Sequence, residues 1–579
     1  MHNSQRKLSW RKRLCFGLLT TIVVYGTLEM VLWLSGVRTI EEVRDPFVGF
    51  RAEIPLFVKR GDSFVTNPLR TASFNVQKFP VKKAAGAFRI FCLGGSTTFG
   101  HPYDARVAYP RALELRLQRL APGRRFEVIN CGGVSYASYR LALIVDEIVD
   151  YEPDMVIIHT GHNEFLESRT YREIRECPQW ARTLIAAGAK FRTAALLTSL
   201  IDACKPSSPA SVLSIDVMTV LEQTNGPQTY HRDDEMYRKV LEHLEFSQRR
   251  MHTTALRSGA RVVFVSPVSD LLGMSPFKAE YSVRDPVIVA RHQALLKQAE
   301  AEGAAGNLAS QLGMLETAVS LDPRHAEAQW AFGSALLKQG KIPEAHSAFV
   351  TARDEDVCPL RATSDIEKLI SSVARDTKSS LVDLRHHLET VCLEANGHTI
   401  IGPESFLDHV HFTIERHADL AMLLSRELAA LGILKSAELS ESEERDWRQE
   451  LDSTISPEDR GIALHTLSMT LGWTGKNHEA LRISQQAVKL TPSEGRVHTQ
   501  LGRLQEKLGD RESALKAYQF AAELDAENPL VLFRLGSLLL DLGRHKEART
   551  VLEHAARNTP ANAPETFKTG VIRRLEQCR

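Results

Sequence analysis

From residue 88 onward, short apolar runs alternate with helical patterns of apolar and polar positions. The runs are almost continuous in Val, Ile, Leu and Phe, which is typical of strands buried on both faces of a parallel sheet. Helical patterns lie between them, as at 108–120 and 137–150. We therefore predict an α/β domain whose parallel sheet is covered by helices on both faces. The predicted strands are 88–93, 126–130, 154–159, 261–266 and 380–384.

The first apolar run of the chain is longer and predicts a membrane span. Residues 14–37 carry one charge, Glu29, and follow five basic side chains between Arg6 and Arg13. A bilayer needs about 20 apolar residues, and the basic flank predicts a cytoplasmic N-terminus. Glu29 is costly at mid-membrane, but near the outer end it can reach the interface or a partner helix.

We therefore expect residues 1–40 to be a basic stub and a signal anchor, with the bulk of the chain extracytoplasmic, or periplasmic in a bacterium. A cleaved signal peptide is the alternative, because Ser35-Gly36 offers small residues for cleavage.

Residues 41–87 show little periodicity and contain four prolines, which predicts an irregular lead-in to the α/β domain. Gly61-Asp62-Ser63 in this stretch copies the Gly-Asp-Ser tripeptide of many hydrolases. It follows Lys59-Arg60 rather than a buried strand, and we interpret it as a chance match.

The gap between the third and fourth predicted strands contains an apolar helical stretch at 180–203. Arg182, Lys190 and Arg192 argue against a membrane span. We expect a helix that covers the core, with a lid or a membrane-facing helix as alternatives.

An internal repeat occupies much of the remaining chain. Glycines recur every 34 residues, with an alanine five positions after each of the last four: Gly306 and Gly340, then Gly475, Gly509 and Gly543. This pattern resembles the tetratricopeptide repeat, whose paired helices stack into an all-α solenoid. The period predicts about two repeats at 290–358, inserted between the fourth and fifth strands, and about three within a C-terminal region, 456–579, that ends in a capping helix.

Composition narrows the functional classes. A chain of 579 residues predicts about three to four domains. A net charge of +1 without a basic stripe gives no case for nucleic-acid binding. The eight cysteines are too few and too scattered for a disulfide framework. They contain no CxxC pair, which argues against a structural zinc site. Pairing is left open, in an oxidising compartment, for Cys177, Cys204, Cys358 and Cys392.

The candidate chemistry begins where the first predicted strand ends, at Gly94-Gly95-Ser96. Glycines permit a sharp turn and leave space beside the serine, and reactive groups of open α/β folds lie at the carboxyl ends of strands. The alternative is an ordinary strand-to-helix connection in which Ser96 only caps the helix.

Later strand ends supply the partners that a nucleophilic serine needs. His411 can take the Ser96 proton, and Asp408, three residues earlier, can orient the imidazole. The amide of Asn163 and backbone N–H groups at Ser96 and Gly132–Gly133 can form an oxyanion hole. Each has a structural alternative: Asp408 as a helix cap, Asn163 as a turn residue, and His411 as a surface histidine.

The order of these segments resembles the SGNH/GDSL hydrolase family. The matching blocks are Gly94-Gly95-Ser96, Gly132-Gly133, Gly161-His162-Asn163-Glu164 and Asp408-His409-Val410-His411. The resemblance covers about 86–205 and 228–435. It implies a three-layer α/β/α sandwich with a flavodoxin-like parallel sheet, and an esterase without a cofactor. The implied triad is Ser96, Asp408 and His411, and the implied oxyanion donors are Ser96, Gly133 and Asn163.

The sequence departs from the family at several positions. Gly95 stands where the family has Asp, and Glu164 stands where it has Asp after the asparagine. The family's second-block glycine falls on Ser135 when counted from Asn130, so any backbone N–H of 132–135 can be the donor. His409 is a rival base, although the family spacing Asp-x-x-His selects His411.

We interpret the chain as a membrane-anchored, extracytoplasmic serine ester hydrolase with a hydrolase domain at 88–435. The expected substrate is an acyl or O-acetyl ester of a lipid or an envelope polysaccharide, and the repeats are expected to bind a protein partner. No metal, organic cofactor or nucleic acid is expected. The alternatives are an O-acyltransferase with the same triad and a scaffold whose α/β domain is catalytically silent.

Overall fold

The computed structural model describes residues 10–37, 39, 54–167, 188, 191–197, 227–560 and 563–578. Its first element is helix α1 (Trp10–Leu34), most of whose described apolar side chains are exposed, with Leu32 as a buried exception. Among the described residues α1 is the one helix long and apolar enough to cross a membrane, judged by length and composition. The predicted apolar N-terminal helix is therefore present, whereas its topology stays a prediction.

A small antiparallel sheet precedes the α/β domain. It consists of β1 (Phe57–Arg60), β2 (Ser63–Thr66) and β3 (Lys78–Pro80), paired in that order. Gly61 has φ +60 in the two-residue turn between β1 and β2, and Arg60 pairs with Ser63. The stretch after residue 54 is thus more regular than the sequence predicted, and Ser63 belongs to a hairpin.

Five parallel strands form the main sheet, in the order β5-β4-β6-β7-β8. All five strands predicted from the apolar runs are present. Strand order reverses between β4 and β6, and ligands of doubly wound sheets bind at such a reversal, beyond the carboxyl ends of the strands. The strands are β4 (Phe88–Gly94), β5 (Phe126–Gly132), β6 (Met155–His159), β7 (Arg261–Val265) and β8 (Ser380–Val382).

Helices pack on both faces of this sheet, because alternate residues of each strand point to opposite faces. In β4, Ile90 and Cys92 join one core cluster and Phe91 and Leu93 join the other. The first cluster includes side chains from α3 (Tyr109–Leu120), α11 (Leu384–Asn396), α12 (Ile414–Ala430) and α13 (Glu441–Ser453). The second includes side chains from α4 (Ser138–Ile148), α5 (Asp234–Arg257) and α10 (Ser364–Asp376). The predicted α/β architecture with helices on both faces of a parallel sheet is confirmed at this level.

Helix α13 extends the α/β domain beyond its predicted end at residue 435. Trp447 is fully buried, and its Nε1 donates to the carbonyl of Ala112 at 3.0 Å. The guanidinium of Arg116 lies 4.8 Å from the indole ring centre. Because its buried face packs on α3, α13 belongs to this domain rather than to the linker that follows.

Two all-α regions contain the repeats, and the predicted tetratricopeptide solenoids are confirmed. Each turn glycine of the 34-residue period has a positive φ, as at Gly340 (+74) and Gly509 (+88), which favours glycine there. The inserted repeats are α6 (Pro286–Ala304), α7 (Leu308–Leu321), α8 (Ala326–Lys338) and α9 (Ile342–Asp354). The C-terminal ones are α14 (Pro457–Trp473), α15 (Asn477–Leu490), α16 (Gly495–Lys507), α17 (Arg511–Leu524), α18 (Pro529–Asp541), α19 (His545–Asn558) and the last helix α20 (Glu565–Glu576).

Several predictions fall wholly or partly outside the described residues. Of the apolar stretch 180–203, the structure describes 188 and 191–197, and 192–197 is helical. Cys177 and Cys204 lie outside the described ranges. Cys358 and Cys392 are buried free thiols.

Candidate active site

The turn after β4 places Ser96 at the start of a short helix, α2 (Ser96–Phe99). Gly95 lies between strand and helix in an extended conformation. A Cβ at Gly95 would lie 2.5 Å from Nδ2 of Asn163, which is closer than the two atoms can pack. A glycine at this position therefore lets the Asn163 amide approach the backbone beside Ser96.

Ser96, His411 and Asp408 are joined by hydrogen bonds. His411 Nε2 lies 2.7 Å from Ser96 Oγ, and His411 Nδ1 lies 2.6 Å from Asp408 Oδ2. All three side chains are buried, with 9%, 8% and 1% of Ser96, His411 and Asp408 exposed. This is the geometry that a serine nucleophile, its base and an orienting carboxylate require.

The loop that carries Asp408 and His411 is organised by its own hydrogen bonds. Phe406 and Phe412 pair across it, and the N–H of Leu407 donates to the carbonyl of His411 at 2.8 Å. Asp408 Oδ1 accepts from the backbone N–H of His411 at 2.8 Å. The carboxylate therefore fixes the loop with one oxygen and the imidazole with the other.

A second contact ties this loop to the serine turn. Thr97 Oγ1, one residue after the serine, donates to the carbonyl of Val410 at 3.2 Å. Serine and histidine are 315 residues apart in sequence, so contacts of this kind fix their relative position.

Electrostatics favour an ionised Asp408 next to His411. Burial by itself raises the pKa of Asp408, but the positive charge of His411 and hydrogen bonds from the two neighbouring histidines hold that pKa well below its usual value. An ionised carboxylate here stabilises the imidazolium that forms when His411 takes a proton.

His101 lies on another side of the His411 ring. The ring centre of His101 is 4.6 Å from that of His411, and the backbone N–H of His101 donates to the carbonyl of Ser96 at 3.0 Å. Burial and the nearby charge of His411 lower the pKa of His101 to about 3. His101 is therefore uncharged at neutral pH, and it does not repel a positive charge on His411.

Three N–H donors are predicted to form the oxyanion hole, and each can serve only if its hydrogen is not already bonded elsewhere. Ser96 is the first residue of α2, and N–H groups in the first turn of a helix have no intrahelical acceptor. Asn163 Nδ2 donates one hydrogen to the carbonyl of Tyr136 at 3.0 Å, which leaves its second hydrogen for another acceptor.

The third donor was predicted within 132–135, with Gly133 as the named residue. The N–H of Gly133 donates to the carbonyl of Gly94 at 2.9 Å, and that of Val134 donates to Ser73 at 3.0 Å. The N–H of Gly132 donates to the side chain of Asn130 at 2.9 Å. These bonds occupy the N–H of Gly133, whose missing side chain instead makes room for the rings of Phe74 and Tyr136.

Ser135 has the conformation that a family glycine would suit. Its φ is +64, and only Glu152 and Lys378 share a positive φ among the non-glycine residues that the structure describes. Counting five positions from Asn130 reaches this residue, so the local backbone matches the block even though the side chain does not.

Glu164, which stands where the family has Asp, is a buried structural acceptor. Its carboxylate accepts from the Ser138 N–H at 3.1 Å and from the Ser138 hydroxyl at 2.8 Å. These bonds attach the start of α4 to the segment that carries Asn163. The longer side chain thus has a local role next to the site.

His409 occupies a different position from His411. Its Nδ1 lies 3.5 Å from Asp408 Oδ2, and its ring packs edge-on to Phe277 with centres 5.0 Å apart. His411, rather than His409, is the histidine that makes a hydrogen bond with Ser96.

The C-terminal repeats contact the segments around this loop. Met274 and Leu407 belong to the same apolar cluster as Leu464, Ile483 and Leu504 of the repeats. Lys476 lies just before α15, and its Nζ donates to Ser275 Oγ at 2.8 Å and to the carbonyl of Pro276. The same Nζ lies 5.3 Å from the ring centre of Phe277.

Sequence reasoning missed His101, Phe277 and Lys476 as neighbours of the site. His101 had a weak signal, since it follows Ser96 by five residues and lies just after the C-cap of α2. Phe277 and Lys476 had none, because their proximity depends on how the repeats pack. Within the described ranges, no three His, Cys, Asp or Glu side chains form a group that could hold a metal ion.

Comparisons with known proteins concern the repeats. A tetratricopeptide repeat family model matches 296–356 and 499–563. Cellulose synthase operon protein C of Pseudomonas fluorescens (strain SBW25) is 31% identical over 118 residues, which are 19% of this chain. The match covers 9% of that protein, so the chain spans a small part of this curated relative.

The similarity to solved structures also covers only a small part of this chain. The Yersinia enterocolitica type III secretion chaperone SycD, in complex with a peptide of the translocator YopD, is 27% identical over 20% of this chain and 88% of its own, with a TM-score of 0.19. PcrH from Pseudomonas aeruginosa is 27% identical over 21% of this chain and 92% of its own, with a TM-score of 0.20. The family-model ranges include neither Ser96 nor His411, so the candidate site rests on its own geometry.

Proposed function

We propose that the α/β domain is a serine ester hydrolase of the SGNH/GDSL type. The observation that carries this proposal is the hydrogen-bonded series from Ser96 Oγ through His411 to Asp408, with contacts of 2.7 and 2.6 Å. It is supported by the position of Ser96 beyond β4, next to the reversal of strand order.

In the first step, Ser96 Oγ attacks the ester carbonyl while His411 Nε2 takes the serine proton. Asp408 holds Nδ1 of His411 protonated and stabilises the imidazolium. The proton then passes from His411 to the leaving alcohol, and an acyl-enzyme forms on Ser96. Water, deprotonated by His411, attacks the acyl carbonyl and releases the acid and the free serine.

The oxyanion of each tetrahedral intermediate needs several preorganised donors. We assign the backbone N–H of Ser96 and the second hydrogen of Asn163 Nδ2. We assign the backbone N–H of Ser135, rather than that of Gly133, as the third donor. The N–H groups of residues 132, 133 and 134 are engaged in other hydrogen bonds. The positive φ of Ser135 supports this choice, since it turns that peptide out of the strand direction.

The proposed substrate is an acyl or O-acetyl ester of a lipid or an envelope polysaccharide, in an extracytoplasmic location. The location follows from the proposed role of α1 as a signal anchor with a basic, cytoplasmic N-terminal flank. No step of the mechanism calls for a cofactor. Product analysis with and without an acceptor sugar separates hydrolysis from O-acyl transfer by the same triad.

Labelling by a serine-reactive fluorophosphonate tests the proposal. We expect the wild-type chain and the matched control Ser63→Ala to be labelled, and Ser96→Ala to be unlabelled. Ester hydrolysis should fall by about 10⁴-fold or more in Ser96→Ala. A folded wild-type chain without labelling or hydrolysis would indicate a silent α/β domain, and loss of labelling only in Ser63→Ala would move the nucleophile to the hairpin.

We also propose that the repeats bind a protein partner. The supporting observation is the match of both repeat regions to the tetratricopeptide family, together with a cavity of about 720 Å³ among α6, α7 and α8. Its lining mixes apolar Leu296, Leu315 and Trp330 with charged Lys297 and Glu300. Affinity capture should retain a partner with the wild-type chain and lose it with Trp330→Ala, while esterase activity stays unchanged.

A further inference from the structure

The carboxylate of Glu29 is bound by a segment that is distant in sequence. Glu29 Oε2 accepts from the backbone N–H of Arg192 at 2.9 Å. Glu29 Oε1 accepts from the N–H of Thr193 at 2.9 Å and from its hydroxyl at 2.6 Å. The segment 191–197 is therefore attached to α1 through the only charged residue of the apolar run 14–37.

A second contact lies one helical turn earlier on the same face of α1. The hydroxyl groups of Tyr25 and Thr193 are 2.8 Å apart, and the rings of Tyr25 and Phe191 meet edge-on at 5.6 Å. Residues at positions i and i+4 share a helix face, so Tyr25 and Glu29 form one continuous contact surface.

The depth of Glu29 places this contact within the membrane if α1 is the anchor. A helix rises about 1.5 Å per residue, so a hydrocarbon core of about 30 Å that begins at Leu14 ends near Leu34. Glu29 then lies about 7 Å inside the outer boundary. A carboxylate at this depth is costly unless it is hydrogen-bonded, and the amides of Arg192 and Thr193 supply those bonds.

The attached segment also exposes apolar side chains. Phe191, Leu196 and Leu197 are 42%, 41% and 61% exposed. Neighbouring side chains of α1, such as Val24 and Val31, are exposed as well. Because the exposed side chains of both segments lie within a few residues of the Glu29 contact, the same solvent should cover both, and for an anchor helix that solvent is lipid.

We propose that residues 191–197 form a second membrane-embedded element, which Glu29 holds against the anchor in the outer leaflet, with lipid acyl chains covering Phe191, Leu196 and Leu197. This inference rests on the anchor role proposed for α1. It adds a second attachment of the α/β domain to the membrane, one that follows the Asn163 segment in sequence.

Lipid quenching of an attached fluorophore tests the proposal in the full-length chain. Cys15, Cys177 and Cys204 are changed to serine, since the other described cysteines are buried. A nitrobenzoxadiazole label is then attached at Leu197→Cys, at Leu19→Cys in α1, or at Val287→Cys, an exposed apolar position in the repeats. The proteins are reconstituted in vesicles of phosphatidylethanolamine and phosphatidylglycerol that carry a doxyl quencher at mid-chain.

We expect quenching at position 197 to be within about twofold of that at position 19, with little at 287. Glu29→Leu should strongly reduce quenching at 197 and leave position 19 unchanged, whereas Glu29→Gln, which keeps one acceptor oxygen, should reduce it less. Quenching at 19 but not at 197 would overturn the inference and leave the anchor intact. No quenching at either position would overturn both.

Discussion

At the scale of single residues, the carboxylate of Asp408 lies between two histidines, and their distances assign them different roles. His411 Nδ1 is 2.6 Å from Asp408 Oδ2, and His409 Nδ1 is 3.5 Å from the same atom. The other ring nitrogen of His411, Nε2, contacts Ser96 Oγ. We infer that His409 supports the carboxylate, while His411 carries the proton.

Substitution of each histidine by glutamine tests this division. His411→Gln should lower kcat by about 10⁴-fold or more, because it removes the base. His409→Gln should retain kcat within about tenfold, since the shorter contact to Asp408 remains. Steady-state hydrolysis of a chromogenic ester measures both. Equal losses in the two variants would mean that the histidines act as a pair.

Asp270 is a second buried carboxylate behind the same loop. Its side chain is fully buried, its Oδ1 accepts from the N–H of Gly273 at 2.6 Å, and its own N–H donates to the carbonyl of His409 at 3.0 Å. Burial raises the pKa of Asp270 to about 7, although the nearby charge of Arg361 opposes this. The usual value in an unfolded chain is about 3.9.

The raised pKa predicts that ionisation of Asp270 destabilises the fold as pH rises. Between about pH 4 and pH 7 the folded chain binds more protons at this residue than the unfolded chain, so the free energy of unfolding falls with pH. Asp270→Asn keeps the Oδ1 acceptor and cannot ionise. It should unfold with a free energy about 1–4 kcal/mol above wild type at about pH 8, and with a smaller difference at about pH 5. Denaturant unfolding at the two pH values measures this, and an equal difference at both would contradict it.

At the scale of elements, the main sheet was predictable because each of its strands is a continuous apolar run. Phe88–Gly94 and Met155–His159 are examples whose bounds nearly match the predicted ones. The hairpin sheet was missed because its strands have three or four residues each and lie among prolines. Helix α13 was missed as part of the α/β domain, because a mostly charged helix that buries Trp447 and Leu451 gives no sign of its partner.

The candidate site also contains residues that the sequence could predict and one that it could not. Asp408 and His411 are close in sequence, and Ser96 follows a strand, so a pattern of residue types was enough to select them. The third N–H donor depended on which amides the sheet engages, and those of Gly133 and Val134 are bonded to Gly94 and Ser73. Such bonds between segments are set by tertiary packing and leave no local pattern.

The element that sequence reasoning could not connect to the site is the first C-terminal repeat. Lys476 contacts Ser275, Pro276 and Phe277, and Phe277 packs on His409. Lys476→Met keeps the apolar stem but removes the charge and the donated hydrogen bonds. We expect it to lower the free energy of unfolding by about 1–3 kcal/mol, because the buried acceptors lose their partner.

We also expect kcat of Lys476→Met to fall by a few-fold, because the segment behind His409 loosens, while KM changes little. The matched control is Lys489→Met, which changes an exposed lysine of the same repeat. Thermal unfolding and steady-state kinetics of both variants measure the effect. If the two variants behave alike, the contact to Phe277 has no influence on the site.

At the scale of the whole molecule, the C-terminal repeats form at least two apolar clusters with different neighbours. The first joins α14, α15 and α16 to Met274 and Leu407 of the α/β domain. Another lies within the later repeats, around Tyr518, Leu538 and Leu552. The first cluster therefore connects the solenoid to the loop that carries Asp408 and His411, and the later one stabilises the end of the solenoid.

Two truncations separate these roles. A chain that ends at residue 525 keeps α14–α17 and the whole first cluster, and it should retain kcat within a few-fold at reduced thermal stability. A chain that ends at residue 455 keeps α13 but uncovers Met274 and Leu407, whose burial contributes about 1.5–3 kcal/mol each. It also lacks Lys476, and it should lose most of its esterase activity while the parallel sheet remains folded. Circular dichroism, fluorophosphonate labelling and ester hydrolysis of the two chains measure this difference. Equal esterase activity in the two chains would mean that the repeats serve partner binding alone. Loss of esterase activity only in the shorter chain would mean that the first repeat helps to hold His411 and Asp408 in place.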